Sequence, residues 1–315
     1  MKNSYTAADI DIPVKLIHDG RLLTSMTENK FILMRHLQLC PTNRCNLNCE
    51  FCSCGDREKN IEMPLVDVIK ILDDAKGCGC QAITITGGGE PLMHPDINNI
   101  IRACRERFIK VGLVTNGMLL DRLTEAVDWC RISFDSKRNF KPLANVMNKQ
   151  LKRLKFEPNI DWAFSFVAYA GVGHLRKLVK YANSHSFTHV RVVGNILDPS
   201  DDAITTCKSV LIGIDKKVIY QPRTRPTRGR KKCWISLLKP TIAADGTIYP
   251  CCGAQYALKD SKKDFHAALG MGKDLKDVIT KQLVFDGEIC DKCYYDNYNR
   301  FMDLLMQPIK HTEWV

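Results

Sequence analysis

Residues 82–115 read AITITGGGEPLMHPDINNIIRACRERFIKVGLVT, and this stretch decides the fold. Ala82–Thr86 and Val111–Thr115 are short β-branched runs that predict strands. Asp96–Phe108 between them carries a helical pattern. Strand, helix and strand in this order make a β–α–β unit, whose strands run parallel through a right-handed crossover. The first strand is joined to the helix by Gly87-Gly88-Gly89-Glu90-Pro91.

The same alternation continues in both directions. Further strands are predicted at Ile32–Leu39, Arg131–Phe134, Asp161–Ala168 and His189–Val193. Pro64–Lys76 opens on a proline suited to a first helical turn and sets Val68, Ile71, Leu72 and Ala75 on one face. Leu119–Val127, Pro142–Leu154 and Leu175–His185 are the remaining predicted helices. Six units fall short of a closed eight-stranded barrel. They predict an α/β fold, a partial (β/α)6 TIM-like barrel with its chemistry at the C-terminal ends of the strands. The alternation stops near Gly194. Residues 195–232 hold a short polar helix, a strand candidate (Lys217–Tyr220) and an Arg/Pro-rich loop. Pro240–Cys252 predicts a β-hairpin turning at Asp245-Gly246, and Asp274–Leu283 a helix. The expected organisation is an N-terminal extension over 1–31, the barrel over 32–194 and a basic linker over 195–232. A small hairpin-plus-helix module with a tail follows over 233–315.

Of the 315 residues, 45% are hydrophobic and 26% charged, which excludes disorder for most of the chain. No run of roughly 18 uncharged apolar residues exists to cross a membrane. The first twenty residues lack the apolar centre of a signal peptide, so a reducing cytoplasm is expected. Fifteen cysteines in such a compartment point to metal or redox chemistry rather than disulfides. The net charge of +11 sits in two acid-free stretches. Residues 137–155 carry Lys137, Arg138, Lys141, Lys149, Lys152, Arg153 and Lys155; residues 222–232 carry Arg223, Arg225, Arg228, Arg230, Lys231 and Lys232. They form either a solvated helix face with a basic loop or a surface for phosphates, including those of a nucleic acid.

The loop after the first strand is Cys45-Asn-Leu-Asn-Cys49-Glu-Phe-Cys52. Three thiolates in a C-x3-C-x2-C loop can hold three irons of a cubane and leave the fourth open to another ligand. A zinc loop or a set of buried thiols would share this spacing. One β–α unit later the triple glycine lets backbone approach a ligand closely, and Glu90 can pair with an ammonium group.

With C-x3-C-x2-C followed by GGGEP, residues 32–193 resemble the radical S-adenosylmethionine (radical SAM) enzymes. The resemblance implies a 4Fe–4S cluster on Cys45, Cys49 and Cys52, its open iron chelated by the methionine end of SAM. Phe51 matches the position beside the adenine, and Gly88, Gly89 and Glu90 the segment that receives the methionine amino group. Ser133 matches a polar position near the ribose or carboxylate. Asn116 is placed to face the cofactor, although Asn-Gly is also a turn signal. Asp135 reaches the substrate side as a catalytic group or caps the next helix. The implied chemistry is reductive cleavage of SAM to a 5′-deoxyadenosyl radical, which takes hydrogen from a substrate C–H bond. A donor such as flavodoxin or ferredoxin would supply the electron.

Further on, Cys233 is followed by 12 residues, Gly246, four residues and Cys251, then 38 residues and Cys290-Asp-Lys-Cys293. This resembles the SPASM and twitch extensions of radical SAM enzymes, without the middle cysteine run of a full SPASM. It implies one auxiliary 4Fe–4S cluster on Cys233, Cys251, Cys290 and Cys293, in a relay role suited to redox changes or isomerisations. Cys252 is the alternative to Cys251, and a zinc knuckle the alternative to the cluster. The other cysteines (Cys40, Cys54, Cys78, Cys80, Cys104, Cys130 and Cys207) are expected to be buried or incidental, with Cys54 close enough to Cys52 to replace it. Both basic stretches flank the expected opening, so a DNA or RNA base is the leading substrate. Alternatives are peptide maturation, disfavoured by the short segment before the first strand, a small-molecule dehydrogenase, and a non-enzymatic iron–sulfur or zinc protein holding nucleic acid.

Overall fold

The computed structural model describes residues 13–107, 109–153, 160–169, 171–197, 201–214, 217–221, 227–254, 257–258 and 268–308. Among these, nine strands join one open sheet in the order β7-β6-β5-β4-β3-β2-β1-β8-β9. The strands are β1 (His36–Leu39), β2 (Ala82–Ile85), β3 (Lys110–Thr115), β4 (Trp129–Asp135), β5 (Asp161–Ala168), β6 (His189–Gly194), β7 (Val218–Gln221), β8 (Thr241–Ile242) and β9 (Ile248–Tyr249). Neighbours from β1 to β7 all pair parallel, as the β–α alternation requires.

The crossover helices are α3 (Leu65–Gly77), α4 (Ile97–Glu106), α5 (Phe140–Arg153), α6 (Leu175–Ser184) and α7 (Asp201–Val210); α1 (Val14–Ile17) and α2 (Gly20–Thr27) precede them. Each crossover helix lays its apolar stripe on the outer face of the sheet: Val68, Leu72 and Ala75 from α3, and Ile97, Ile100, Ile101 and Cys104 from α4. They belong to one core with Ile132, Phe134, Phe164 and Phe166, all fully buried. Phe164 stacks on Phe187 with ring centroids 4.6 Å apart. Burying each such ring stabilises the fold by roughly 1.5–3 kcal/mol. Strand alternation turns the intervening residues inward. These are Arg131, Ser133 and Asp135 on β4, Ser165 on β5, and His189 and Arg191 on β6.

Three expectations are corrected. Leu119–Val127 forms only a 3-10 turn at Leu120–Arg122. The Asn98 side chain accepts hydrogen bonds from Thr124 N (2.9 Å) and Glu125 N (3.3 Å), which holds that segment out of a helix. The alternation also runs one unit past Gly194, because α7 and β7 add to the β6 edge. β7 is buried at only one of its four positions, so its apolar signal was weak.

Finally, the C-terminal hairpin is part of the barrel sheet. β8 pairs parallel with β1, and β9 antiparallel with β8; the hairpin thereby covers an edge that β1 would otherwise expose. The turn holds Gly246 at φ +82°. Helices α8 (Ile235–Leu238), α9 (Leu275–Thr280) and α10 (Asp296–Met306) complete the region. The Gln282 side chain donates to Ile32 O and accepts from Ile32 N, and Lys30 Nζ donates to Gln307 O at 3.1 Å. The segment before β1 is thus tied to residues 282–307. Among the described residues no helix is long and apolar enough to cross a membrane.

Candidate functional site

The chain leaves β1 into a loop that folds back on itself through Asn43 N to Ile61 O (2.9 Å) and Met63 N to Pro41 O (2.9 Å). Cys45 and Cys52 are exposed on it and Cys49 is half-buried. Cys52 N donates to Cys49 O at 3.1 Å, closing one turn. Among the described residues no three Cys, His, Asp or Glu side chains converge as on a single metal ion. A cubane asks for a different arrangement, in which each thiolate takes its own iron and the sulfurs stand apart. The three thiols still sense one another: Cys49 is pushed up to about 11 by burial first, then by Asp135, with Cys52 and Cys45 adding to it. A donor set of thiols alone, at the C-terminal ends of the strands, fits an iron–sulfur cluster.

The glycine segment is pressed against this loop. Gly89 N donates to Thr42 O (3.0 Å) and Glu90 N to Arg44 O (2.7 Å). A Cβ on Gly89 would overlap Arg44 O, and one on Gly88 would overlap Asn43 Oδ1 and stand 2.6 Å from the Arg57 guanidinium. Glu90 is buried. Its Oε1 accepts from Leu92 N (3.1 Å) and Thr115 Oγ1 (2.6 Å), and its Oε2 from Asn116 N (2.6 Å). Burial pushes its carboxyl up against the opposing effect of these bonds and of Arg138. Of about four acceptor directions on a carboxylate, one remains on Oε2.

Asn116 does two things at once. Its Oδ1 accepts from Met118 N (3.0 Å), forming a turn, and its Nδ2 donates to Asn46 Oδ1 (2.7 Å) in the cysteine loop. Phe51 packs on Tyr169 beyond β5, ring centroids 4.9 Å apart. Ser133 is half-buried on the inner face. Asp135 is buried and accepts from Lys137 N (2.9 Å) and Arg138 N (3.2 Å) on its Oδ1, so it caps the turn into α5.

Arg138, in the first basic stretch, turns inward rather than joining a solvated face or a phosphate surface. It is half-buried and donates to Ser133 O (2.7 Å) and Asn116 O (2.9 Å). Asp135, Cys49, Glu90 and Cys45 surround it, while burial lowers its pKa. It ties the ends of β3 and β4 together beneath the cysteine loop. Other members of the basic stretches are also engaged. Lys137 pairs with Glu50 at 2.5 Å, and Arg230 pairs with Asp296. Lys141, Lys149 and Lys152 are exposed on α5. Lys155, Arg223 and Arg225 lie outside the described residues, as does the Arg153 side chain.

The second cysteine set comes together. Cys233, Cys251, Cys290 and Cys293 line one cavity. Backbone closeness builds it: Cys233 N donates to Phe285 O (3.0 Å) and Gly229 N to Cys290 O (2.9 Å). A Cβ on Gly287 would stand 2.6 Å from Arg230 O and 3.3 Å from Cys233 Cβ. Burial, with Cys293 and Cys290 adding, pushes Cys233 up to about 12. Cys252 is not in this lining; its Sγ lies 3.2 Å from Tyr295 Oη. Four thiols on one cavity fit a cluster fully ligated by protein. Cys54 hydrogen-bonds the Cys52 thiol and lies 3.8 Å from Gly87 O. Cys40, Cys78, Cys80, Cys104, Cys130 and Cys207 are buried.

Residues 39–166 match the Radical SAM superfamily. Among curated relatives, the chain is 27% identical over 184 residues to the GTP 3′,8-cyclase of Chlorobaculum tepidum, covering 53% of this chain and 54% of that protein. It is 26% identical over 167 residues to the PqqA peptide cyclase of Granulibacter bethesdensis, covering 48% and 44%. The matched part is thus about half of either relative's own length. In fold, the chain is similar to Streptococcus suis SuiB bound to its precursor peptide SuiA. That likeness has a TM-score of 0.59 at 17% identity and covers 95% of this chain and 81% of the other.

Proposed function

Residues 39–166 are a radical SAM domain, and from this premise we propose an enzyme that activates a substrate C–H bond with SAM, aided by a second iron–sulfur cluster. With a 4Fe–4S cluster and SAM bound, the site would have the radical chemistry that removes hydrogen from an unactivated C–H bond. Cys45, Cys49 and Cys52 would hold that cluster. Phe51 against Tyr169 provides an aromatic wall for the adenine. Gly88, Gly89, the remaining lone pair of Glu90, Asn116 and Ser133 would position the rest of SAM. Arg138 fixes the strand ends on which these groups stand. The auxiliary cluster, twitch-like in its spacing, would take Cys233, Cys251, Cys290 and Cys293, and a ferredoxin or flavodoxin would deliver the electron.

The observation that carries this reading is the convergence of those four cysteines on one cavity, in a chain whose other thiol loop lies in the matched domain. The named relatives act on a nucleotide and on a peptide, so an intramolecular ring closure on a small molecule or peptide is the reaction type favoured here. A nucleic-acid base as substrate rests, among the described residues, on the exposed Lys141, Lys149, Lys152, Arg228, Lys231 and Lys232, since Arg138 is turned inward and Lys137 and Arg230 pair with Glu50 and Asp296.

Anaerobic reconstitution tests the proposal. Wild-type protein should take up about eight irons and release 5′-deoxyadenosine from SAM under reductant. Replacing Cys45, Cys49 and Cys52 with Ala should abolish that release, and replacing Cys290 and Cys293 should remove about half the iron. Full release from the first variant would refute the assignment.

A further inference from the structure

Contacts on either side of the first cysteine motif bring one guanidinium under it. Asn46, next to Cys45, accepts from Asn116 Nδ2 at 2.7 Å, and the Asn116 carbonyl accepts from Arg138 Nη2 at 2.9 Å. Glu50, next to Cys49, pairs at 2.5 Å with Lys137, the chain neighbour of Arg138. Arg138 Nη1 donates to Ser133 O at 2.7 Å, and the guanidinium carbon lies 5.1 Å from the centre of the Phe134 ring. A planar fork bonded at both nitrogens and resting on a ring keeps its charge in one place.

Asp135 sets a negative charge at the same turn. It is buried, and its Oδ1 accepts from Lys137 N and Arg138 N. The thiols register both groups: Asp135 pushes Cys49 up while Arg138 pulls it down, and Cys49 and Cys45 act back on Arg138. A cluster on these cysteines gains one negative charge when it takes up its electron. Net charge, hydrogen bonds and exposure set the potential of such a cluster, and a fixed charge out of water acts on it more strongly than a solvated one. The half-buried guanidinium favours the reduced form, and the buried carboxylate disfavours it. The Lys137–Glu50 pair stands at the exposed rim, its side chains 51% and 68% accessible, where water and salt screen it.

We propose that Arg138 and Asp135 set the reduction potential of the cluster on Cys45, Cys49 and Cys52, Arg138 raising it and Asp135 lowering it. Both are positioning residues in this role, since they act through the cluster. The proposal rests on the radical SAM reading, and its test separates the two. The fully loaded chain is titrated anaerobically with dithionite through mediators, one electron per cluster, while the paramagnetic resonance signal that responds to SAM is followed. In Arg138→Gln the ratio of reduced to oxidised cluster at a fixed potential should fall about tenfold. In Asp135→Asn, which keeps Oδ1 for the same two N–H groups, that ratio should rise. Arg138→Lys keeps the charge without the fork; it should melt lower than wild type yet hold the ratio within about threefold. Lys137→Gln, which removes a screened charge one residue away, should also leave the ratio within about threefold. Asp135→Asn decides alone should Arg138→Gln load no iron. An unchanged or opposite shift in Arg138→Gln or Asp135→Asn, or an equal fall in Arg138→Lys or Lys137→Gln, would overturn the proposal. A wild-type signal indifferent to SAM would instead defeat the radical SAM reading.

Discussion

Replacing Glu90 with Gln asks whether this carboxylate is mainly a clamp or mainly a ligand for SAM. In Glu90→Gln one oxygen is kept and can go on accepting from Leu92 N and Thr115 Oγ1. The new amide nitrogen takes the place of Oε2 and meets Asn116 N–H, donor against donor. The loss comprises one hydrogen bond to a charged group, about 1.5–3 kcal/mol, plus an unsatisfied buried N–H, about 1–3 kcal/mol. Removing a carboxylate whose pKa burial has raised offsets part of this, leaving about 2–4 kcal/mol of destabilisation. Glu90→Ala orphans all three donors and should cost more, about 4 kcal/mol or beyond. Urea unfolding of the cluster-free protein gives both values, and SAM binding to the reconstituted protein gives the second axis. A Gln variant as stable as wild type that had lost SAM binding would refute the clamp.

Further outcomes follow from the same geometry. Cys251→Ala should lose the auxiliary iron, about four per chain, whereas Cys252→Ala should keep it; equal loss in both would reverse the assignment. Gly287→Ala forces a Cβ against Arg230 O and Cys233 Cβ and should destabilise by about 1–3 kcal/mol, with auxiliary iron falling in the same preparations; unchanged stability and iron would show that the approach is not tight. The pH dependence of stability has a definite sign. Burial, with Arg131 and Arg191 adding, lowers His189 to about 4, so from roughly pH 6.5 down towards 4 the unfolded chain binds more protons than the folded one. Stability should therefore fall across that window by about 2 kcal/mol from His189, discounted for partial solvation. His189→Gln should flatten the urea midpoint between pH 7.5 and 4.5, and an unflattened slope would contradict it.

The parallel barrel was legible because most of its strands are short runs rich in β-branched or aromatic residues, and amphipathic helices separate them everywhere except between β3 and β4. β7 and the hairpin of β8 and β9 were read as strands but not as members of that sheet, since a four-residue half-buried strand and a two-residue strand carry too little periodicity to reveal their pairing. Attachment of the hairpin to β1 is a long-range fact that local spacing cannot contain. At the site, the cysteine motifs name residue types whose chemistry is unambiguous. Arg138 and Asp135 could not be read in the same way. A base inside a basic stretch looks solvated until Ser133 O and Asn116 O are found within its reach, and the capping role of a carboxylate at a strand end is visible only once the N–H groups of Lys137 and Arg138 are placed. The choice between Cys251 and Cys252 likewise waited on which thiol faces the cavity and which faces Tyr295.

The central claim is a cubane held by Cys45, Cys49 and Cys52 with one iron left for SAM. Electron paramagnetic resonance of the reduced Cys290→Ala/Cys293→Ala protein isolates that cluster from the auxiliary one. The spectrum should change on addition of SAM and stay unchanged with adenosine, which lacks the amino-acid end that would chelate the open iron. A fully loaded cluster whose signal is indifferent to SAM would contradict the account.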